Sequence, residues 1–267
     1  MKKSMKKLLL LPTLLFGFMG SANAHFQMLY TPESALNQGE TIPLKMIFTH
    51  PFADEHAMDM EAPESFYVVH KGQQRDLKES LKPITWQGNN NQAKAFESNY
   101  RARSMGDHLF VLTPAPYYEQ NEEVYIQQIT KLLVNVAGMP TDWDRDLGLK
   151  AEIVPLTKPY GVWANSTFSG VVMSQGKPVP FAEIEVEYLN SDIDLTANKT
   201  GPTQVVAPQD SFVTLVIKAD ENGTFTFGIP KAGWWGFAAL GVGPDKEYQG
   251  KELSQDAVIW VQAKDMQ

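Results

Sequence analysis

Short runs rich in β-branched and aromatic residues, each closed by Gly, Pro or Asn, recur from end to end of this 267-residue chain. No long segment carries a helical period, so the chain is predicted to be all-β and to fold as a sandwich. The first half offers strands over Phe26–Tyr30, Ile42–Phe48, Ser65–His70, Ala93–Tyr100, His108–Thr113, Val124–Thr130 and Leu132–Val136.

The prolines within Glu152–Tyr160 favour an extended connection. A domain boundary is expected there, giving one sandwich over 25–155 and a second over 156–267 in tandem. In the second half, Thr167–Met173 reads as a strand and Gln175–Pro178 as a turn. Ala182–Tyr188 alternates strictly, so Glu183, Glu185 and Glu187 should face water. Asn190–Gln209 is polar and reads as a long loop, and Phe212–Ala219 with Thr224–Phe227 as a hairpin about Asp220–Gly223. Further strands are expected from Gly233 and over Ala257–Val261, with Trp234 and Trp235 as core residues.

The first 24 residues read as a secretory signal: Lys2, Lys3, Lys6 and Lys7, an apolar stretch from Leu8 to Phe18, then Ala22-Asn23-Ala24. That stretch is too short and interrupted to span a bilayer, so the protein is expected to be exported, periplasmic and not membrane-embedded. Losing those residues removes four lysines and takes the net charge from −8 to −12. Such acidity argues against nucleic acid or an anionic membrane and permits, without demanding, a cationic partner. The absence of cysteine excludes disulfides, thiolate metal sites and a cysteine nucleophile.

Cleavage after Ala24 would make His25 the first residue. Its α-amine (ordinary pKa roughly 7.7–8.0) and imidazole (about 6.5) would then chelate one cation near neutral pH. If the first two strands pair, His50 lies beside His25. The following His56-Ala57-Met58-Asp59-Met60 segment offers an imidazole, a carboxylate and two thioethers. The candidate metal ligands are therefore His25, His50, His56, Met58 and Met60. Imidazole suits nickel, cobalt, copper and zinc, while thioether favours copper(I). His70 reads as a strand-surface residue and His108 as structural. No phosphate loop, zinc-protease helix, nucleophile elbow or glycosidase pair is recognisable, so a non-enzyme is expected.

Several motifs together resemble a bacterial periplasmic component associated with nickel and cobalt uptake, a family often catalogued as a domain of unknown function. They are Ala24-His25, Phe48-Thr49-His50-Pro51-Phe52, Met58-Asp59-Met60, Pro114-Ala115-Pro116-Tyr117-Tyr118-Glu119, Glu152–Leu156 and Gly233–Phe237. The resemblance implies a carrier of a divalent transition metal that works with a membrane transporter. In the C-terminal half, Gly176–Pro180 and Asp220–Phe225 are similar to transthyretin-like or carboxypeptidase-regulatory-like sandwiches, of the immunoglobulin/transthyretin kind. Those modules are usually structural or adhesive. The alternatives are a copper-binding protein, an oxidase using a copper histidine brace, and a metal-free adhesive double sandwich.

Overall fold

The computed structural model describes residues 25–53 and 56–266; the expected signal segment lies outside the described residues. Among the described residues the chain is all-β, apart from two single-turn 3₁₀ segments at Lys78–Ser80 and Asp210–Phe212. Its strands form a sandwich of a seven-stranded, a twelve-stranded and a four-stranded sheet among the described residues. No described helix is long and apolar enough to cross a membrane.

The twelve-stranded sheet lies in the middle. Its main path runs Leu215–Lys218, Glu183–Tyr188, Gly233–Ala239, Lys251–Lys264, Val124–Val136, Gly106–Thr113, Ser65–His70, Gln73–Asp76. Its central strands are near-continuous apolar runs because both faces are covered. In Gly106–Thr113, Phe110 and Leu112 enter one core while Leu109 and Val111 enter the other. Val258 and Trp260 likewise oppose Ala257, Ile259 and Val261. Trp234 and Trp235, both core residues as expected, separate in the same way.

The seven-stranded sheet covers the first core. It places Phe26–Tyr30, Thr41–Thr49, Gln92–Arg101, Lys82–Gln87, Lys199–Thr203 and Ser191–Asp194 in that order, with Ala57–Met58 also paired to Thr41–Thr49. The four-stranded sheet covers the second core, with Ser166–Ser174 paired to Glu152–Pro155, Lys177–Pro178 and Thr224–Ile229.

Two apolar cores are thus present, with the middle sheet as the wall between them. Strands from either side of the expected boundary at 155/156 meet in it: Val124–Val136 pairs in parallel with Lys251–Lys264 from Tyr125↔Leu253 to Leu132↔Trp260. Four local expectations are corrected. Val124–Thr130 and Leu132–Val136 are one strand. The polar stretch after Asn190 contains the paired strands Ser191–Asp194 and Lys199–Thr203, which extend the first sheet through Lys199↔Gln87. Leu215–Lys218 and Thr224–Ile229 are not a hairpin: the turn at Asp220 carries the chain from the middle sheet to the four-stranded one. Glu187 is buried, because on the face that alternation assigns to water the Phe52 turn and Thr214 close over it and bond its carboxylate.

Candidate functional site

Strand register builds the site. Phe26–Tyr30 runs antiparallel to Thr41–Thr49 with Phe26 opposite Thr49, so the next step outward sets His25 opposite His50. Ala57–Met58 pairs with the other edge of that strand end, Thr49 opposite Ala57, and the next step sets His56 opposite His50. Directly opposed residues share a sheet face. The three imidazoles accordingly form a row, with ring centroids 4.6 Å apart for His25–His50 and 4.7 Å for His50–His56.

Each histidine is held by its surroundings. The Gln128 side-chain amide donates to the His25 carbonyl at 2.7 Å, and its oxygen accepts from the Gln27 N–H at 2.6 Å. After His50, the Phe52 N–H donates to the Glu187 carboxylate at 3.1 Å, and the Asn190 N–H donates to the Pro51 carbonyl at 3.0 Å. The Thr49 hydroxyl donates to the His56 carbonyl at 3.3 Å, while Asn91 exchanges two 2.8 Å hydrogen bonds with the Ala57 backbone.

Glu119, the last residue of strand Tyr117–Glu119, joins the row. Its Oε2 lies 3.2 Å from His25 Nε2, with both side chains about nine-tenths buried. Sequence reasoning left it out of the ligand set, although it closes the Pro114–Glu119 motif. It lies on a strand of the middle sheet, far from His25 in sequence, which hides the contact. Burial lowers the His25 pKa below its ordinary 6.5; the charges of Glu119 and Glu122 oppose that shift and His56 adds to it. The lowered value favours the neutral imidazole that a metal needs.

Met58 and Met60 are core residues. Both pack in the first core, and Met60 Sδ accepts from Gln27 Nε2 at 3.5 Å. His70 and His108 lie apart from the row and stack on each other, centroids 4.1 Å apart and planes within 2°. Among the described residues, no three or more His, Asp or Glu side chains already converge as a metal-holding group. The row and Glu119 supply the donors at one corner without pointing them at a common centre.

No curated protein matches the chain. Among solved structures, the D0–D1 domain of Intimin is 11% identical, with 90% of this chain and 100% of that one covered and a TM-score of 0.23. The adhesin InvE of Yersinia pseudotuberculosis is 12% identical over 91% of this chain and 59% of that one, TM-score 0.24. Dimeric latent PorU from Porphyromonas gingivalis is 11% identical over 91% of this chain and 21% of that one, TM-score 0.24. Likeness at that level carries no functional weight. A family model matches residues 22–243, most of the chain, and the protein belongs to that family, the domain of unknown function DUF4198.

Proposed function

We propose that this is an exported carrier of a divalent transition metal, nickel or cobalt, that binds the ion at the histidine row and releases it to a membrane importer. The observation that carries the reading is the alignment of His25, His50 and His56 on three neighbouring strand ends, with Glu119 against His25. Three imidazoles and a carboxylate are a fitting donor set for these ions. The donors would have to rotate about their own bonds to meet at one centre. After cleavage before His25, its α-amine would add a chelating nitrogen. Partial ligation by exchangeable nitrogen donors suits a carrier that must also let go.

Copper is the second reading, since it outranks nickel and cobalt for nitrogen ligands. The burial of Met58 and Met60 in the core leaves a nitrogen and oxygen donor set, which offers copper(I) little.

The deciding experiment is calorimetric titration of nickel, cobalt and copper into protein beginning at His25, into the same protein extended by one alanine, and into His50→Ala. Binding that weakens by at least about tenfold in both altered proteins supports the site. Equal affinity in all three removes His25 and His50 from it. Elemental analysis of protein exported with its own signal then reports the metal it carries.

A further inference from the structure

A cavity of about 250 Å³ opens beside the histidine row. Its walls are largely apolar: Phe48, Pro114, Pro116, Tyr117 and Ile126. It shares structure with the row at several points. The Phe48 and Tyr117 rings lie 5.7 and 6.4 Å from the His25 ring, and the same two rings meet edge to face at 5.2 Å. Gln27 and Gln128, whose side chains and backbone hold the His25 end of the strand, also line the cavity.

The bare ions expected at the row need no such space. A hydrated metal offers nothing to an aromatic wall, whereas a metal already held by a small organic chelator does. Among the described residues, the charged side chains lining the cavity are Asp59 and Glu61, and no basic residue lines it. Two lysines reach wall residues from outside: Lys94 Nζ lies 3.3 Å from Glu61, and Lys251 bonds the Tyr118 hydroxyl. Aromatic faces together with carboxylates favour a positively charged guest and disfavour an anionic one. The volume falls below the roughly 300–1,000 Å³ of drug-sized clefts, which limits the guest to a few-ringed or short-chain molecule.

We infer that the cargo arrives as a cationic complex of the metal with a small, flat organic chelator, whose body occupies the cavity while the metal meets the histidine row. The inference rests on the metal-carrier reading above and names the form in which the metal is taken. An open coordination position on the complex would accept His25, and the aromatic and proline walls would replace water around the chelator.

The test uses full-length processed protein and three nickel probes in separate titrations: aqueous nickel, the 1:1 nickel–2,2′-bipyridine cation, and anionic nickel citrate. Bipyridine alone is the fourth arm. The variant Ala115→Trp fills the cavity from a partly buried wall position that is neither a row histidine nor Glu119. The expected result is that the bipyridine complex binds at least about tenfold tighter than aqueous nickel and citrate no tighter. Ala115→Trp should abolish the preference while leaving aqueous nickel binding unchanged.

If aqueous nickel binds but the bipyridine complex shows no preference, or if Ala115→Trp leaves the preference intact, the chelate proposal fails and the carrier reading stands. If bipyridine alone binds as tightly as its nickel complex, the cavity is an independent organic site and the proposal fails. If no nickel species binds, both readings fall together.

Discussion

Gln128 spans the gap between two sheets to hold His25: its amide nitrogen donates to the His25 carbonyl at 2.7 Å. Gln128 sits on the strand Val124–Val136 of the middle sheet, and a further hydrogen bond of 3.3 Å ties its amide to Asp256 Oδ2. His25 is thus fixed by a residue on a different layer, which sets where the strand Phe26–Tyr30 begins. Gln128→Leu removes the bonds to His25 and Gln27 while keeping an apolar side chain of similar size. Metal affinity should fall by about 10–100-fold, the usual effect of losing a group that orients a ligand. Calorimetry reads it, with the melting temperature as control; unchanged affinity would show that the strand end needs no such anchor.

Glu187 is buried, with its carboxylate accepting from Phe52 N–H at 3.1 Å and from the Thr214 hydroxyl at 2.5 Å. Burial pushes its pKa from 4.5 up to about 8, and burial with neighbouring acids pushes Glu185 to about 7. The folded protein therefore holds protons that the unfolded chain has released. Stability from this source is complete below about pH 4.5 and is lost as pH rises to 8. Glu187→Gln mimics the protonated acid without the charge: its oxygen can accept from the Phe52 N–H while its NH2 donates to the Thr214 hydroxyl, reversing that bond. Its melting temperature should exceed wild type at pH 8, by roughly 2–4 °C for each kcal/mol relieved, and converge with it at pH 5. A constant difference across that range would contradict the assignment.

His108 imposes the opposite slope. Burial lowers its pKa from 6.5 to about 4, with the neighbouring His70 adding to that fall. Its Nε2–H donates to the Ser104 carbonyl at 3.1 Å, and its Nδ1 accepts from the Tyr100 hydroxyl at 3.0 Å. The unfolded chain takes up a proton that the folded one refuses, so stability is present above pH 6.5 and drains away towards pH 4. Imidazole nitrogen NMR should show a neutral Nε2–H tautomer persisting below pH 5. His108→Gln should flatten the acid limb of the melting-temperature profile. A His108 that titrates near 6.5 would sink this account.

Lys131 and Glu152 form an ion pair of 2.7 Å inside the second core, at 1% and 0% side-chain exposure. Glu152 also accepts from the backbone N–H groups of Leu147 and Leu149 at 3.2 Å. Lys131→Met strands a buried carboxylate and should cost about 3–5 kcal/mol in urea unfolding. Adding Glu152→Gln removes the charge but keeps an acceptor, and should recover most of that loss. If the double variant is as unstable as the single one, the damage lies in packing and not in the unmatched charge.

The sequence carried the strands well where apolar residues crowd, as at Phe26–Tyr30 and Ser65–His70, whose bounds agree with the structure. It also carried the meeting of His25 with His50, because antiparallel neighbours place the start of one strand beside the end of the next. Glu119 was hidden because its partner lies 94 residues earlier and their contact depends on how two sheets stack. The polar pair Ser191–Asp194 and Lys199–Thr203 was hidden for a related reason. It is held by backbone bonds, the approach of Trp86 Nε1 to the Thr200 hydroxyl at 3.2 Å and the packing of Ile193 on the first core, too little apolar surface to stand out in sequence. Glu187 misled because strict alternation assumes one wet face. A sheet covered on both sides breaks that assumption.

The sharing of one β-wall by both cores has a consequence for how the molecule can be taken apart. Scission between residues 155 and 156 would give two pieces that each need the other's strands to close, as Leu132 needs Trp260. Neither fragment should fold when made alone, yet the two mixed together should reassemble. A transferable module cannot be lifted out of this chain by cutting at the point where its sequence changes character.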